Sequence, residues 1–262
     1  MHPSIFLSHG SPMLPLMQVP ARAFLAGLGA EVTARHGRPK AILVASAHWE
    51  TTLPTVNAVA VNETIHDFYG FPRPLYDLRY PAPGAPKLAE QVSDLLCAAG
   101  LESRIDRSRG LDHGAWCPLL LAWPQADIPV LQLSVQSTLG PAHHAQLGEA
   151  LRPLREEGVL IIGSGSWTHD LRRFRGQGVD APETPDVTAF SDWMDQAVMQ
   201  GRRCDLLTYR RQAPFAAEQH PTEEHLLPLY VALGAGSAGM QAERLHSSTN
   251  YGMLRMDAYA FH

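Results

Sequence analysis

Four short aliphatic runs place the strongest constraint on the fold of this chain. They are SIFLS at 4–8, AILVASA at 41–47, IPVLQLSV at 128–135 and GVLIIGSG at 158–165. Runs of this length are typical of strands that are buried on both faces of a sheet. Amphipathic segments at 85–100 and 141–158 lie between them, and each ends on a glycine, a common helix terminator. The alternation predicts an α/β fold: a single layered domain with a central, largely parallel or mixed sheet flanked by helices.

The remaining segments fit the same architecture. Helices are predicted at 184–200 and 223–234, and strands at the sheet edge are predicted at 242–248 and 253–261. The segment 62–86 is rich in proline, glycine and aromatic residues, and we interpret it as an ordered loop. The chain has 262 residues and no stretch that resembles a flexible linker, so we expect one domain.

Composition and charge exclude several classes of protein. The chain is 45% hydrophobic, and no apolar run approaches the ~20 residues that a membrane-spanning helix requires. The formal net charge is −5 and the basic residues are scattered, so nucleic acid is not an expected partner. Three cysteines without a C-x-x-C motif, and an N-terminus without secretory-signal features, predict a cytoplasmic protein without a disulfide framework.

Three of the thirteen histidines follow predicted strands. His9 follows the first run, His48 follows the second, and His169 comes shortly after the glycine-rich fourth run. Ligands of open α/β sheets bind outside the carboxyl ends of the strands, so we expect the three imidazoles to meet at one edge. We interpret His9 and His48 as metal ligands, because Gly10 permits a tight turn and an apolar strand fixes His48. His169 is predicted to be a third ligand or a general base.

The other histidines have less distinctive surroundings. His113, in LDHGAWCPL, suits a hydrogen bond to substrate as well as a role in the core. His143 and His144 are expected to be exposed on the first turn of a helix. Structural roles are predicted for six histidines: His2, His36, His143, His144, His246 and His262.

The segment HPTEEHLLPL at 220–229 contains several potential ligands. A helical metallopeptidase site needs two histidines four residues apart on one face, whereas His220 and His225 are five residues apart. Pro221 also favours a position at or before a helix start, which leaves His220 outside the helix. The spacing therefore disfavours a peptidase.

The same segment predicts a helix start. Thr222 is the expected N-cap, and Glu223 and Glu224 then occupy the first turn, where the helix dipole favours carboxylates. His225 lies on that turn and can point into the pocket.

Six motifs, in order along nearly the whole chain, resemble one known family. They are SHGSPM at 8–13, SAHWET at 46–51, IHDFYGFPRPLY at 65–76, YPAPG at 80–84, LDHGAWCPL at 111–119 and HPTEEHLLPLYVALGA at 220–235. The chain resembles the DOPA-type extradiol aromatic ring-opening dioxygenases, in the class III extradiol superfamily with the catalytic subunit of protocatechuate 4,5-dioxygenase. The resemblance implies one catalytic domain over 1–262 that opens a catechol ring with O2 to give a muconic semialdehyde.

The resemblance also implies a metal centre. His9, His48 and His225 match the metal ligands of the family, with Fe2+ expected for activity and Zn2+ able to occupy the site in isolated protein. A glutamate takes the third position in the protocatechuate branch, so Glu224 competes with His225 for that role. His169 matches the acid/base histidine.

The resemblance places His113 in the substrate pocket as a second catalytic residue. His220, His66 and Trp49 are predicted to bind substrate. The expected partners are a DOPA-like catechol and O2. Neither nucleic acid nor a membrane is an expected partner. The sequence does not fix the oligomeric state, and a homo-oligomer is possible. Two other interpretations compete: a zinc-dependent hydrolase that uses the same histidines, and a non-catalytic metal-binding protein.

Overall fold

An eight-stranded sheet forms the centre of the computed structural model, which describes residues 1–239 and 241–262. The strands of the described residues are β1 (Ser4–Ser8), β2 (Ala41–Glu50), β3 (Thr55–Asn57), β4 (Arg104–Asp106), β5 (Val130–Val135), β6 (Val159–Gly165), β7 (Ala242–His246), β8 (Thr249–Asn250), β9 (Leu254–Arg255) and β10 (Ala258–Phe261). The order across the large sheet is β4-β3-β5-β2-β6-β1-β10-β7, and β8 pairs with β9 separately. The central strands β5, β2, β6 and β1 are parallel, whereas β10 and β7 are antiparallel. The predicted mixed, largely parallel sheet is confirmed.

Helices cover both faces of this sheet. In the described part of the chain they are α1 (Pro20–His36), α2 (Arg73–Tyr76), α3 (Pro86–Ala98), α4 (His113–Ala122), α5 (Gly140–Leu151), α6 (Pro185–Met199), α7 (Arg203–Leu207), α8 (Tyr209–Gln212), α9 (Ala216–Gln219) and α10 (Leu227–Ala235). Short 3-10 turns span Leu14–Leu16, Arg152–Arg155 and Leu171–Arg173. Within residues 1–239 and 241–262, no helix has the length and apolarity that crossing a membrane requires.

Alternating side chains on the strands separate two apolar layers. In β2, Ile42 and Val44 face a layer shared with α1 and α4, whereas Leu43 faces a layer shared with α3, α5 and α10. Successive side chains of a strand point to opposite faces of a sheet, so a strand covered on both sides is apolar throughout. This is the reason that the four aliphatic runs predicted their strands correctly.

Some elements gave no clear signal in the sequence. The helices α1 and α4 and the short strands β3 and β4 were not predicted. Every residue of α4 from His113 to Leu119 is buried, so the helix lacks the polar stripe that reveals an amphipathic helix. Its interior Pro118 also argues against a helix on local grounds.

The helix predicted from residue 223 starts later, at Leu227 of α10. The predictions that Thr222 caps this helix and that Glu223 and Glu224 occupy its first turn are therefore wrong. Pro228 lies in the first turn of α10, where a missing N–H group has no cost and a proline favours the helix start.

Two glycines allow β6 to approach the segment that leads into α10. A Cβ atom at Gly163 would lie 2.0 Å from the carbonyl oxygen of Pro228, and one at Gly165 would lie 2.1 Å from that of His225. Any side chain at these positions would push the segment away. The backbone N–H of Ser166 donates to the His225 carbonyl oxygen at 2.8 Å. The end of β6 thus holds His225 at one edge of the sheet.

Candidate active site

Three histidines converge at the carboxyl ends of the central strands. His9 follows β1, and its backbone N–H donates to the carbonyl oxygen of Gly165 at 2.9 Å. His48 lies near the end of β2, and His225 lies in the turn before α10. Nε2 of His48 is 3.0 Å from Nε2 of His9 and 3.3 Å from Nε2 of His225. Ring nitrogens from three separate segments therefore face one another.

Two of these rings have a hydrogen-bond partner at Nδ1. Nδ1 of His9 lies 3.1 Å from Oγ of Ser164, whose hydroxyl donates to the carbonyl oxygen of Gly114. Nδ1 of His225 lies 2.9 Å from Oε1 of Glu224. Both oxygens act as acceptors, so the proton of each ring is on Nδ1 and the lone pair is on Nε2. Such contacts fix the tautomer and the orientation of metal-binding histidines.

Burial keeps the three imidazoles neutral. Burial, reinforced by the neighbouring histidines, holds the pKa values of His9 and His225 well below their usual range. Burial and the nearby His113 lower the pKa of His48 to about 3, although Asp67 opposes this shift. The neutral imidazole is the form that binds a metal ion.

The donor set fits a divalent metal ion. Imidazole nitrogens bind such ions at about 2.0–2.1 Å, so two of them in one coordination shell lie roughly 3.0–3.4 Å apart. The Nε2 separations of 3.0 and 3.3 Å agree with this range. Imidazole nitrogen is a suitable ligand for both iron and zinc, so the ligand type does not distinguish the two metals. The ligand atoms of His9, His48 and His225 all lie within 4.8 Å of one another.

His169 lies beside this group. Its ring stacks on that of His225, with a centroid separation of 3.4 Å and an interplanar angle of 12°. Its backbone N–H donates to the carbonyl oxygen of Gln219 at 2.8 Å, which anchors the turn after β6. Burial lowers the pKa of His169 to about 4, against the raising effect of Glu224. The ring is therefore neutral at pH 7 and able to accept a proton.

His113 and Asp67 form the adjacent wall. The ring centroid of His113 lies 3.9 Å from that of His48. Oδ2 of Asp67 lies 2.9 Å from Nδ1 of His113, and Oδ1 accepts from the backbone N–H of His113 at 2.9 Å. Sequence reasoning missed Asp67, because a carboxylate within an aromatic loop has no periodic signal. Its place in the motif IHDFYGFPRPLY was the one available indication.

A cavity of about 270 Å³ opens beside the histidines. It is close to the lower end of the range of roughly 300–1,000 Å³ that is usual for small-molecule sites. The residues that line it are His9, Gly10, Ser11, Pro12, His48, Phe71, His113, Ser166, His169, Leu171 and Leu254. Polar imidazoles and apolar side chains thus meet in one small space, as is typical of small-molecule sites.

Comparison with known proteins identifies the family. Residues 3–262 match the family described as the catalytic LigB subunit of aromatic ring-opening dioxygenase. The chain belongs to this family. It is 46% identical to the 4,5-DOPA dioxygenase extradiol of Beta vulgaris, over 98% of this chain and 96% of the relative. It is 39% identical to the protein of the same name from Escherichia coli (strain K12), over 89% of this chain and 84% of the relative. A solved structure of an uncharacterised Escherichia coli K12 protein has a TM-score of 0.81 at 31% identity and covers 100% of both chains.

This LigB-family chain is an extradiol dioxygenase, an oxidoreductase that opens a catechol-type ring with O2. The predicted enzyme class is confirmed, and the alternatives of a zinc hydrolase and a non-catalytic protein are not supported. LigB-type dioxygenases depend on a metal, and the histidine group supplies a site of the required type.

Trp49 does not line the cavity of this dioxygenase, although it was predicted to bind substrate. It is the neighbour of His48 in β2, in a stretch where the pairing with β5 shifts register, and it is not among the residues that line the cavity. Its ring instead packs under the guanidinium group of Arg109, 4.7 Å from the ring centroid. The predicted contact of Trp49 with substrate has no counterpart in the cavity lining and stays a prediction.

His66 and His220 also lie away from the cavity wall. His66 is half-buried, with its ring centroid 5.6 Å from those of Phe68 and Trp116. His220 is fully buried, and its Nε2 lies 2.9 Å from the carbonyl oxygen of Trp167. Neither residue is among those that line the cavity, and their predicted role in substrate binding stays a prediction.

Glu224 lies behind the His225 ring. Its Oε1 contacts Nδ1 of His225 and also accepts a hydrogen bond from the Thr222 hydroxyl at 3.0 Å. This carboxylate oxygen is thus on the opposite side of the imidazole from Nε2. The geometry favours Glu224 as an orienting partner of His225.

His144 was expected to be exposed, but it is fully buried in α5. Its Nε2 accepts from the backbone N–H of Gln136 at 3.1 Å, and its Nδ1 lies 2.7 Å from the carbonyl oxygen of Gly140. Both ring nitrogens are therefore used inside the core. The arrangement supports the predicted structural role.

Proposed function

We propose that the substrate is a DOPA-like catechol, that the product is a muconic semialdehyde, and that the active metal is Fe2+ bound by His9, His48 and His225. The observation that carries this proposal is the convergence of the Nε2 atoms, 3.0 and 3.3 Å from that of His48. The names of the relatives, 4,5-DOPA dioxygenase extradiol, support a DOPA-like substrate.

When bound, Fe2+ supplies a redox-active centre with positions open to the catechol oxygens and to O2. Neutral imidazoles leave the charge of such a centre at +2, which favours an anionic catecholate. The protein's part is to present three lone pairs in a fixed geometry. Ser164 and Glu224 help to do this, because they accept hydrogen bonds from the Nδ1–H groups of His9 and His225.

His169 is the proposed base. It lines the cavity, and its stacking on His225 at 3.4 Å keeps the ring beside the proposed metal ligands. A ring nitrogen of His169 takes the proton from a catechol hydroxyl oxygen, so that the substrate binds as an anion. The same nitrogen can return the proton later in the reaction.

His113 and the apolar wall are proposed to orient the ring. With Nδ1 of His113 on Asp67, Nε2 is the nitrogen available for a hydrogen bond to a substrate oxygen. Phe71, Leu171 and Leu254 line the cavity and offer apolar contact to the aromatic ring while they exclude water.

Anaerobic loading tests this proposal. Metal-free protein receives Fe2+ and then L-DOPA or catechol without oxygen, and air is admitted while oxygen uptake and the visible spectrum are recorded. We expect one O2 consumed per substrate and a yellow product whose mass is that of the substrate plus two oxygen atoms, less one water where the amine of L-DOPA condenses with the new aldehyde. Absence of oxygen uptake with every catechol would refute the substrate class. Equal activity of Zn2+-loaded protein would refute the assignment of iron.

We also propose that the chain works in the cytoplasm. Its three cysteines, Cys97, Cys117 and Cys204, are free thiols in the described structure, which is consistent with a reducing compartment. A homo-oligomer remains a prediction, and light scattering on the purified protein would test it.

A further inference from the structure

The Asp67 carboxylate holds His113 by two hydrogen bonds. One oxygen accepts the backbone N–H of His113 and the other contacts ring Nδ1, both at 2.9 Å. The side chains are 20% and 6% exposed respectively, so the His113 side of these contacts is shielded from water. Two bonds from one carboxylate fix both the start of α4 and the rotation of the imidazole at that start.

The loop that carries Asp67 is itself attached to α4. The backbone N–H of Ile65 donates to the carbonyl oxygen of Leu111 at 2.8 Å, and Nε1 of Trp116 donates to the carbonyl oxygen of Ile65 at 2.9 Å. The ring of Phe68 meets that of His113 edge to face at 5.7 Å. The carboxylate is therefore held against His113 by two hydrogen bonds at Ile65, before it in the chain, and by the ring of Phe68, after it.

Asp67 also lies near a proposed metal ligand. Its Oδ2 is 3.6 Å from Nδ1 of His48, which is too long for a hydrogen bond but makes Asp67 an anion in contact with both rings. The shorter contact, to His113, decides which imidazole the carboxylate orients.

We propose that Asp67 is a positioning residue that keeps the proton of His113 on Nδ1 and directs Nε2 toward the substrate. An acceptor at Nδ1 selects this tautomer, since an imidazole with its proton on Nε2 would place two lone pairs against each other. The proposal deepens the proposed function, because it assumes that His113 meets the substrate.

A double-mutant cycle measures the coupling. In Fe2+-loaded protein, Asp67→Ala should lower kcat/KM for the catechol by about 10- to 100-fold, the usual effect of removing an orienting partner. In the His113→Ala background the same substitution should change kcat/KM by less than about twofold, because the ring that it orients is gone. Asp77→Ala is the matched control, since Asp77 is an exposed carboxylate of the same loop. Equal losses in both backgrounds would overturn the proposal.

The tautomer itself has a readout that does not depend on ring opening. Metal-free protein with 15N-labelled histidine should show a protonated Nδ1 and an unprotonated Nε2 for His113, assigned by comparison with His113→Ala. Asp67→Ala should convert this pattern to a mixture of tautomers, and Asp67→Asn, which retains one acceptor oxygen, should have a smaller effect. An unchanged pattern in Asp67→Ala would overturn the proposal even if the chain opens catechols. The expected pattern without any oxygen uptake would support Asp67 and refute the proposed function.

Zinc titration tests a different role for the same atoms. Ligand atoms of His48, Asp67 and His113 lie within 4.8 Å of one another and could hold a metal ion. We expect one Zn2+ per chain in both the unaltered protein and Asp67→Ala. A second Zn2+ that is lost in Asp67→Ala would assign Asp67 to a metal site and overturn the positioning role.

Discussion

The cavity histidines and the core histidine of α5 differ in how they use their ring nitrogens, although burial lowers the pKa of both kinds. His9 and His225 each use Nδ1 in a hydrogen bond and turn Nε2 toward other imidazoles. His144 uses both nitrogens in bonds to backbone groups. Burial and a low pKa therefore do not mark a metal ligand. The proposed ligands are distinguished instead by free ring nitrogens that face one another.

Removing a proposed ligand should have the largest effect. His225→Ala, like His9→Ala and His48→Ala, should lose stoichiometric iron and reduce oxygen uptake to background, because two imidazoles hold the ion too weakly. Metal analysis after gel filtration measures the loss. His144→Gln is the control and should keep one iron per chain. Full iron content in His225→Ala would show that free, facing nitrogens are not the deciding feature.

Removing the proposed base should slow turnover and spare the metal. His169→Ala should lower kcat by about 10²- to 10⁴-fold, the usual contribution of a general base, with one iron still bound per chain. Steady-state oxygen uptake and iron analysis on the same sample separate the two effects. Unchanged kcat would remove His169 from the reaction, and lost iron would instead make it a ligand.

Removing an orienting carboxylate should weaken the metal site without abolishing it. Glu224→Ala should keep stoichiometric iron at saturating metal but lower its affinity by about 10- to 100-fold, because Nδ1 of His225 loses its acceptor. Competition with a chromogenic chelator measures the affinity. If Glu224→Ala lost iron while His225→Ala kept it, the third ligand would be the carboxylate.

The core histidine should affect stability and its pH dependence. Burial lowers the pKa of His144 to about 4, so the unfolded chain, with a pKa near 6.5, binds a proton that the folded chain excludes. Stability contributed by neutral His144 is thus present above pH 6.5 and is lost as the pH falls toward 4. Between pH 7 and pH 5 the loss should be about 2 kcal/mol.

Urea unfolding of metal-free protein at pH 7 and pH 5 measures this contribution. In His144→Gln the free energy of unfolding should fall by about 2 kcal/mol less between pH 7 and pH 5 than in the unaltered protein. The iron stoichiometry at pH 7 should be unchanged. An identical pH dependence in the two proteins would mean that His144 is not held as a buried, neutral imidazole in the folded state.

Local sequence predicted the parts of the fold that depend on local patterns. Continuous apolar runs correctly gave the central strands, because strands covered on both faces exclude polar residues. The same reasoning failed for α4, whose complete burial removes any amphipathic pattern. It also misplaced the start of α10, where Pro228 rather than Thr222 marks the first turn.

The sequence by itself determined the family, the α/β class and the delivery of His9 and His48 to the carboxyl edge of the sheet. These follow from motifs and from strand periodicity, which are properties of neighbouring residues. Only the tertiary structure decided which atoms hold each imidazole: Ser164 is 155 positions from His9, and Asp67 is 46 positions from His113. Hydrogen-bond partners depend on distance and direction in space, and no local pattern encodes them across such separations.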